Sequence, residues 1–169
     1  TVFNRLIYSF IRKPKSRRAY EHSAYLLRNQ ITSPEPVAYI NSYRFGMLYK
    51  SYYMCRYTDY KPFKELLSMP VSESRPALEA FARFSYLLHK SGIYHGDYST
   101  SNVLYQSSGN HYDFSLIDNN RMKIGKYNYA KGMRSMKRLE IPLECMGIIA
   151  EEYAKVSKIE GIIVLYGMT

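Results

Sequence analysis

The stretch Ile93-Tyr-His-Gly-Asp-Tyr-Ser-Thr-Ser-Asn-Val-Leu-Tyr105 decides how the rest of the chain is read. His95, Gly96 and Asp97 are followed after four residues by Asn102, with apolar residues on both sides. Such a loop holds a carboxylate and a carboxamide a few ångströms apart. Phosphoryl transfer needs that pair: the carboxylate orients an attacking hydroxyl and accepts its proton, and the side-chain oxygen holds a magnesium ion on the phosphates. A second acid on a nearby strand completes the requirement, and Phe114-Ser-Leu-Ile-Asp118 supplies it after a hairpin-like interruption at Gln106 to Asn110.

Upstream of the loop, Pro76 suits the first turn of a helix running to about Lys90, with Leu78, Phe81, Phe84, Ser85 and Leu88 on one stripe. Gly92 ends it, because a glycine supplies the left-handed conformation that a helix C-terminus favours. A buried helix thus delivers the chain into His95. The polar segment Ser68 to Pro76, with two prolines, reads as a loop. Downstream, Val103 to Tyr105 and Phe114 to Ile117 form a strand pair with Asp118 at its end. A basic connector and a second amphipathic helix from about Pro142 to Val156 follow, with Leu143, Met146, Ala150 and Tyr153 facing inward.

Towards the N-terminus, Ser16 is a suitable N-cap for a helix over Arg17 to Gln30, with Tyr20, Ala24 and Leu27 at helical spacing and Glu21 within it. Ser33-Pro-Glu-Pro36 stops it, since a residue before proline is pushed out of the helical region. Val37 to Ile40 reads as a strand, Asn41 to Gly46 as its turn and Met47 to Tyr57 as one or two Tyr-rich strands; a short helix near Phe63 to Leu67 follows the connector. Residues 1–11 are apolar and aromatic, and their periodicity does not separate strand from helix.

The 169 residues are 46% hydrophobic, enough for one domain or two small lobes and too apolar for disorder. Lys and Arg number 24 against 14 Asp and Glu, a net charge of +10 that suits an anionic partner. The excess gathers at residues 12–18 and 123–138, and each run reads equally well as a solvated face or a recognition patch. Cys55 and Cys145 show no metal spacing and fit a reduced, cytoplasmic protein. No run approaches the roughly 18 apolar residues of a spanning helix; Gly161 to Met168 is far too short.

With these residues in view, the chain resembles the protein-kinase-like superfamily. His95-Gly96-Asp97 departs from the His-Arg-Asp of protein kinases towards small-molecule kinases, and Ile117-Asp118-Asn119 keeps the metal-binding acid of Asp-Phe-Gly while losing its Phe and Gly. A narrower match joins His95-Gly-Asp-Tyr-Ser-Thr-Ser-Asn102, Leu116-Ile-Asp-Asn-Asn-Arg121 and Arg18-Ala-Tyr-Glu-His through Thr32-Ser-Pro-Glu-Pro-Val-Ala-Tyr39. Together they resemble the lipopolysaccharide-core sugar kinases, the Kdo/heptose kinase family, over residues 15–140.

The resemblance implies an α+β, bilobal protein-kinase-like fold. Its partial N-terminal lobe would span residues 1–59 (helix about 16–30, strands about 37–57). The mainly helical C-terminal lobe, 60–169, would carry the catalytic loop 93–105 and the metal segment 114–121. It implies that ATP phosphorylates an inner-core sugar hydroxyl at the cytoplasmic face of the inner membrane. Asp97 would be the catalytic base, Asn102 and Asp118 the magnesium ligands, and Glu21 the helix acid that pairs with the phosphate-binding lysine; His95 and Arg121 would support. Counting back about twenty residues from Glu21 reaches Val2 and Phe3, not a lysine, and no glycine-rich loop precedes them. Lys13 and Lys15 belong to the approach to the helix, so the sequence reads as a kinase whose phosphate-gripping strand lies upstream.

The implied partners are ATP with magnesium, an anionic glycolipid or phosphorylated sugar acceptor, and peripherally an acidic membrane surface; no nucleic acid is expected. A protein acceptor, or a non-catalytic pseudokinase-like binding module, are the rival readings. His95 reads as a loop-holding residue rather than a proton carrier, and His111 as exposed in its hairpin.

Overall fold

The structure, a computed structural model, describes residues 13–169. The expectations for residues 1–11, including the count back to Val2 and Phe3, lie outside the described residues. The chain divides into two compact units: the chain up to Thr58 together with Ile117–Arg121, and Asp59–Leu116 together with Met122–Thr169.

In the first unit, helix α1 (Lys15–Arg28) packs on an antiparallel hairpin of β1 (Pro36–Arg44) and β2 (Met47–Cys55). The hairpin is longer than the sequence suggests: Asn41 to Arg44 are strand, and the reversal falls at Phe45 and Gly46, both with positive φ. The helix starts two residues earlier than an N-cap at Ser16 would place it, after Pro14, with no side-chain cap. Ser16 is not the N-cap. Its hydroxyl donates instead to Asn41 Oδ1 at 2.8 Å and receives the Ser51 hydroxyl at 2.7 Å, tying helix to hairpin. The buried helix face is Ser16, Arg18, Ala19, Ser23 and Leu26, not the Tyr20, Ala24 and Leu27 stripe. Hydropathy periodicity overlooks Ser and Arg because it scores them as solvent-facing, whereas here each is buried with a hydrogen-bond partner.

The second unit is built on helix α2 (Val71–Lys90). Pro76 is not in its first turn; the helix begins at Val71, after Pro70, so residues 71–76 are helix and not loop. An internal proline forfeits one helical hydrogen bond. Burial of Ser74, Ala77, Leu78 and Phe81 on the same face offsets that loss. Phe63, in a short 3₁₀ turn over Phe63–Ser68, lies 4.4 Å from Phe81 between ring centres, and Phe114 packs edge-on against Phe81 at 5.4 Å. These rings form the core of the unit, all buried.

β3 (Lys61–Pro62), β5 (Val103–Ser108) and β6 (His111–Leu116) make one antiparallel sheet, and β4 (Ile93–Tyr94) pairs with β7 (Lys123–Ile124). His111 begins β6 and is exposed. The basic segment after Arg121 is not simply a connector, since it folds into α3 (Tyr129–Met136), whose N-cap Asn128 accepts from Lys131 N–H at 2.9 Å. α4 (Leu143–Ser157) follows and packs on α2. Leu143, expected inside, is 69% exposed because it occupies the first turn, ahead of the buried stripe Cys145, Ile148, Ile149 and Tyr153. α5 (Gly161–Met168) closes the described chain. Among the described residues no helix is long and apolar enough to cross a membrane.

Candidate active site

The loop after β4 belongs to the second unit, and α2 delivers the chain into it through Gly92. That glycine has φ +71, and a Cβ on it would lie 1.6 Å from the Gly125 carbonyl oxygen, so only glycine fits. Gly125 N–H donates to the Gly92 carbonyl at 2.9 Å, which locks the entry. His95 is 1% exposed, and its Nδ1 accepts the Asp97 backbone N–H at 3.2 Å, which leaves the ring proton on Nε2. The Ser135 hydroxyl on α3 donates to the His95 carbonyl at 3.1 Å. On the other side of Asp97, Tyr98 is fully buried, stacks on Phe81 at 5.8 Å, and shares a 2.9 Å hydrogen bond with Ser85 of α2. Burial pushes the Tyr98 hydroxyl's pKa well up, so it stays a neutral anchor.

Asp97 is therefore held between two buried rings and is itself half-buried. Its carbonyl accepts from Ser99 N–H at 2.9 Å and from Asn102 Nδ2 at 2.8 Å. The second bond orients the Asn102 carboxamide: its nitrogen is committed to the loop, and its oxygen is the end available to a cation.

Asp118 belongs to the first unit, within Ile117–Arg121. Its φ of +52 is in the left-handed region, which Asp tolerates better than most residues. The following 3₁₀ turn, Asn119–Arg121, is held by three residues of α1 and by Ser33 beyond it. Arg18, buried, donates from a terminal guanidinium nitrogen to the Asn120 carbonyl at 2.7 Å. His22 Nδ1 lies 2.6 Å from the Asn119 carbonyl and must be the donor there, since a carbonyl only accepts. Asn119 Nδ2 is 3.0 Å from both the Ser23 and Ser33 hydroxyls. Asn120 Nδ2 in turn donates a short hydrogen bond to Asp118 Oδ1.

Asp118 and Asn120 line a pocket of about 440 Å³ whose other walls are Lys15, Ser16 and Ala19 of α1 and Leu48, Ser51 and Tyr53 of β2. Asn120 is 9% exposed, and its Oδ1 is buried with no hydrogen-bond partner. An unpartnered acceptor beside a carboxylate is costly unless a cation or donor completes it, and hard oxygens of this kind suit magnesium. Among the described residues no three His, Cys, Asp or Glu side chains gather as a metal cage. Magnesium does not need one, because it is usually held by one or two carboxylates together with substrate phosphates.

Glu21 lies on α1, facing neither Asp118 nor the pocket lining. Its carboxylate takes Lys13 Nζ at 2.8 Å and Arg17 Nε at 2.9 Å. Those two hydrogen-bonded cations, Lys13 first, hold its pKa below the usual range against a small desolvation penalty. Arg121 ends the 3₁₀ turn and is exposed. Residues that the sequence reading gave no individual role are Tyr98, Arg18, His22, Ser23, Ser33, Asn120 and the pocket face of Lys15. Only Tyr98 carried a local signal, as an aromatic directly following the loop acid.

These small antiparallel sheets and helices, with a His-Gly-Asp loop and a strand-following Asp, make a protein-kinase-like fold. No model of a protein family and no curated protein sequence matches the chain. Among solved structures, WaaP in complex with acyl carrier protein shares the fold, with a TM-score of 0.66 at 16% identity over 89% of this chain and 69% of that one. At that identity the likeness shows a shared fold.

Proposed function

We propose that the chain is an ATP- and magnesium-dependent phosphotransferase whose acceptor is a sugar hydroxyl of a lipopolysaccharide inner core. The motif resemblance to the lipopolysaccharide-core sugar kinases supports the acceptor class, and the fold shared with WaaP agrees with a kinase-like cleft. The single observation that supports the chemistry is the loop of the second unit, where the half-buried Asp97 holds the Asn102 amide nitrogen through its backbone carbonyl and leaves the carboxamide oxygen uncommitted.

In this reading Asp97 takes the proton of the acceptor hydroxyl as its oxygen bonds to the γ-phosphorus, and the bond from that phosphorus to the β-γ bridging oxygen breaks, leaving ADP. Asn102 and Asp118 would hold magnesium, which would supply charge neutralisation on the phosphates. His95 and Tyr98 act on position alone, by fixing the backbone on either side of Asp97. Arg18, His22, Ser23 and Ser33 do the same for Asp118. Glu21 is the helix acid of the family pattern, met by Lys13 and Arg17 among the described residues. The excess of basic groups, 24 against 14 acidic ones, favours an acceptor that carries its own phosphates and an acidic membrane surface beneath it.

Incubation with γ-labelled ATP, magnesium and delipidated core oligosaccharide, beside a general protein acceptor, tests the assignment. Label is expected on the sugar. Label on the protein acceptor alone would move the chain to the protein kinases, and label on neither, with nucleotide still bound, would favour a non-catalytic binding module.

A further inference from the structure

Of the four cations at and just before the start of α1, Arg18 is spent on the Asn120 carbonyl, and the other three differ in what they meet. Arg17 and Glu21 are four residues apart on α1 and share one helical face, Lys13 precedes the helix, and both cations are spent on the Glu21 carboxylate. Lys15 is rotated about 200° from Arg17 on that helix. It lies with Ser16 and Ala19 on the face that lines the Asp118 pocket, and among the described residues it has no ion-pair or hydrogen-bond partner. The helix it begins is 14 residues long and has no side-chain cap, and the first amide to find an intrahelical acceptor is that of Arg18. Among the described residues the amides of Lys15, Ser16 and Arg17 therefore find no acceptor, with the positive end of the helix dipole behind them. A separate observation on the opposite wall points to a ligand: Asn120, nine-tenths buried, keeps an unpartnered Oδ1 beside the Asp118 carboxylate.

One wall of this pocket thus offers a lysine and helix amides, while the other offers oxygens. An anion alone would be repelled by Asp118, and a cation alone by Lys15. A phosphate group carrying a divalent cation satisfies both walls at once. We propose that Lys15, with the amides opening α1, binds a phosphate group in the pocket while Asp118 and Asn120 hold its cation. This rests on the phosphotransfer reading and adds a phosphate-binding lysine to it. The phosphate belongs either to the nucleotide or to the sugar acceptor.

The test is calorimetric titration of the full chain with Mg-ADP, with adenosine and with a phosphorylated core sugar, in the wild type, Lys15→Ala, Lys15→Arg, Asp118→Asn and the exposed-lysine control Lys64→Ala in the second unit. Lys15 is exposed, so its replacement leaves folding intact. Loss of a hydrogen bond to a charged group predicts a roughly tenfold to hundredfold weaker Mg-ADP affinity in Lys15→Ala, recovered in part by Lys15→Arg. Adenosine binding and Lys64→Ala should be unaffected. A loss confined to the phosphorylated sugar assigns the same contact to the acceptor's phosphate. Unchanged binding of both ligands in Lys15→Ala, with Asp118→Asn still weakening Mg-ADP, overturns the assignment of Lys15 and leaves phosphotransfer standing. Absence of Mg-ADP and sugar binding in the wild type overturns both.

Discussion

The loop that carries Asp97 and the turn that carries Asp118 are held in place by opposite means. Around Asp97 the determinants are near in sequence: His95 two residues before, Tyr98 one after and Asn102 five after, with one helix immediately upstream as the platform. Around Asp118 they are remote. Arg18 is 102 residues from Asn120, and His22 and Ser23 are 97 and 96 residues from Asn119. One acid is placed by its own loop and the other by a helix from the far end of the chain. The first arrangement is rigid through aromatic burial, and the second through a set of hydrogen bonds that must all be made together.

The largest effect should come from the buried anchor. Tyr98→Ala removes a fully buried ring from the Phe63, Phe81 and Phe114 cluster and should cost about 3–5 kcal/mol in denaturant unfolding. Tyr98→Phe loses only the Ser85 hydrogen bond and should cost about 1 kcal/mol. If the two variants were equally destabilised, the ring's packing would not be what fixes this loop.

Arg18→Ala should cost about 1.5–3 kcal/mol, since it strips a charged donor from a buried carbonyl. It should also weaken magnesium-dependent nucleotide binding while leaving the Asp97 loop as protected from amide hydrogen exchange as before. Loss of protection at residues 95–102 would show that the two loops are not independently held.

His89 sharpens the contrast within the second unit through pH. It is fully buried on α2, with Nδ1 3.1 Å from the Tyr153 hydroxyl, its ring stacked on Tyr94, Tyr98 edge-on and Nε2 unpartnered. Burial lowers its pKa from 6.5 to about 3. Above pH 6.5 neither the folded nor the unfolded chain protonates it, so it has no effect on stability. As pH falls from 6.5 towards 3 only the unfolded chain takes the proton, and stability is lost. Between pH 7 and 5 this one group should remove about 2 kcal/mol, and His89→Gln should flatten the unfolding-versus-pH profile by that amount. A profile with the same acid slope in the variant would contradict the buried neutral state.

What was legible in the sequence follows the same division. The Asp97 loop, the helix feeding it through Gly92 and the strand pair after it are short-range patterns in which spacing and residue type carry the information. The clamp on Asp118 is built from Arg, His and Ser, types that composition assigns to the surface, and no local period links residue 18 to residue 120. The start of α2 was obscured because Pro76 reads as a first-turn residue when its helix is taken alone. The packing of Ser74, Ala77 and Leu78 that carries the helix past it is tertiary. Lys15 illustrates the same limit: in sequence it is one of a basic run, and only helix geometry separates it from its neighbours.

The central claim is that the two acids do different work, one on a proton and one on a metal. Magnesium-dependent nucleotide binding and turnover, measured side by side in Asp97→Asn and Asp118→Asn, test it most directly. Asp97→Asn should keep nucleotide affinity within about twofold while turnover falls by roughly 10²–10⁴. Asp118→Asn should lose the magnesium dependence of binding together with turnover. Wild-type turnover in Asp97→Asn, or the same magnesium response in both variants, would contradict the account.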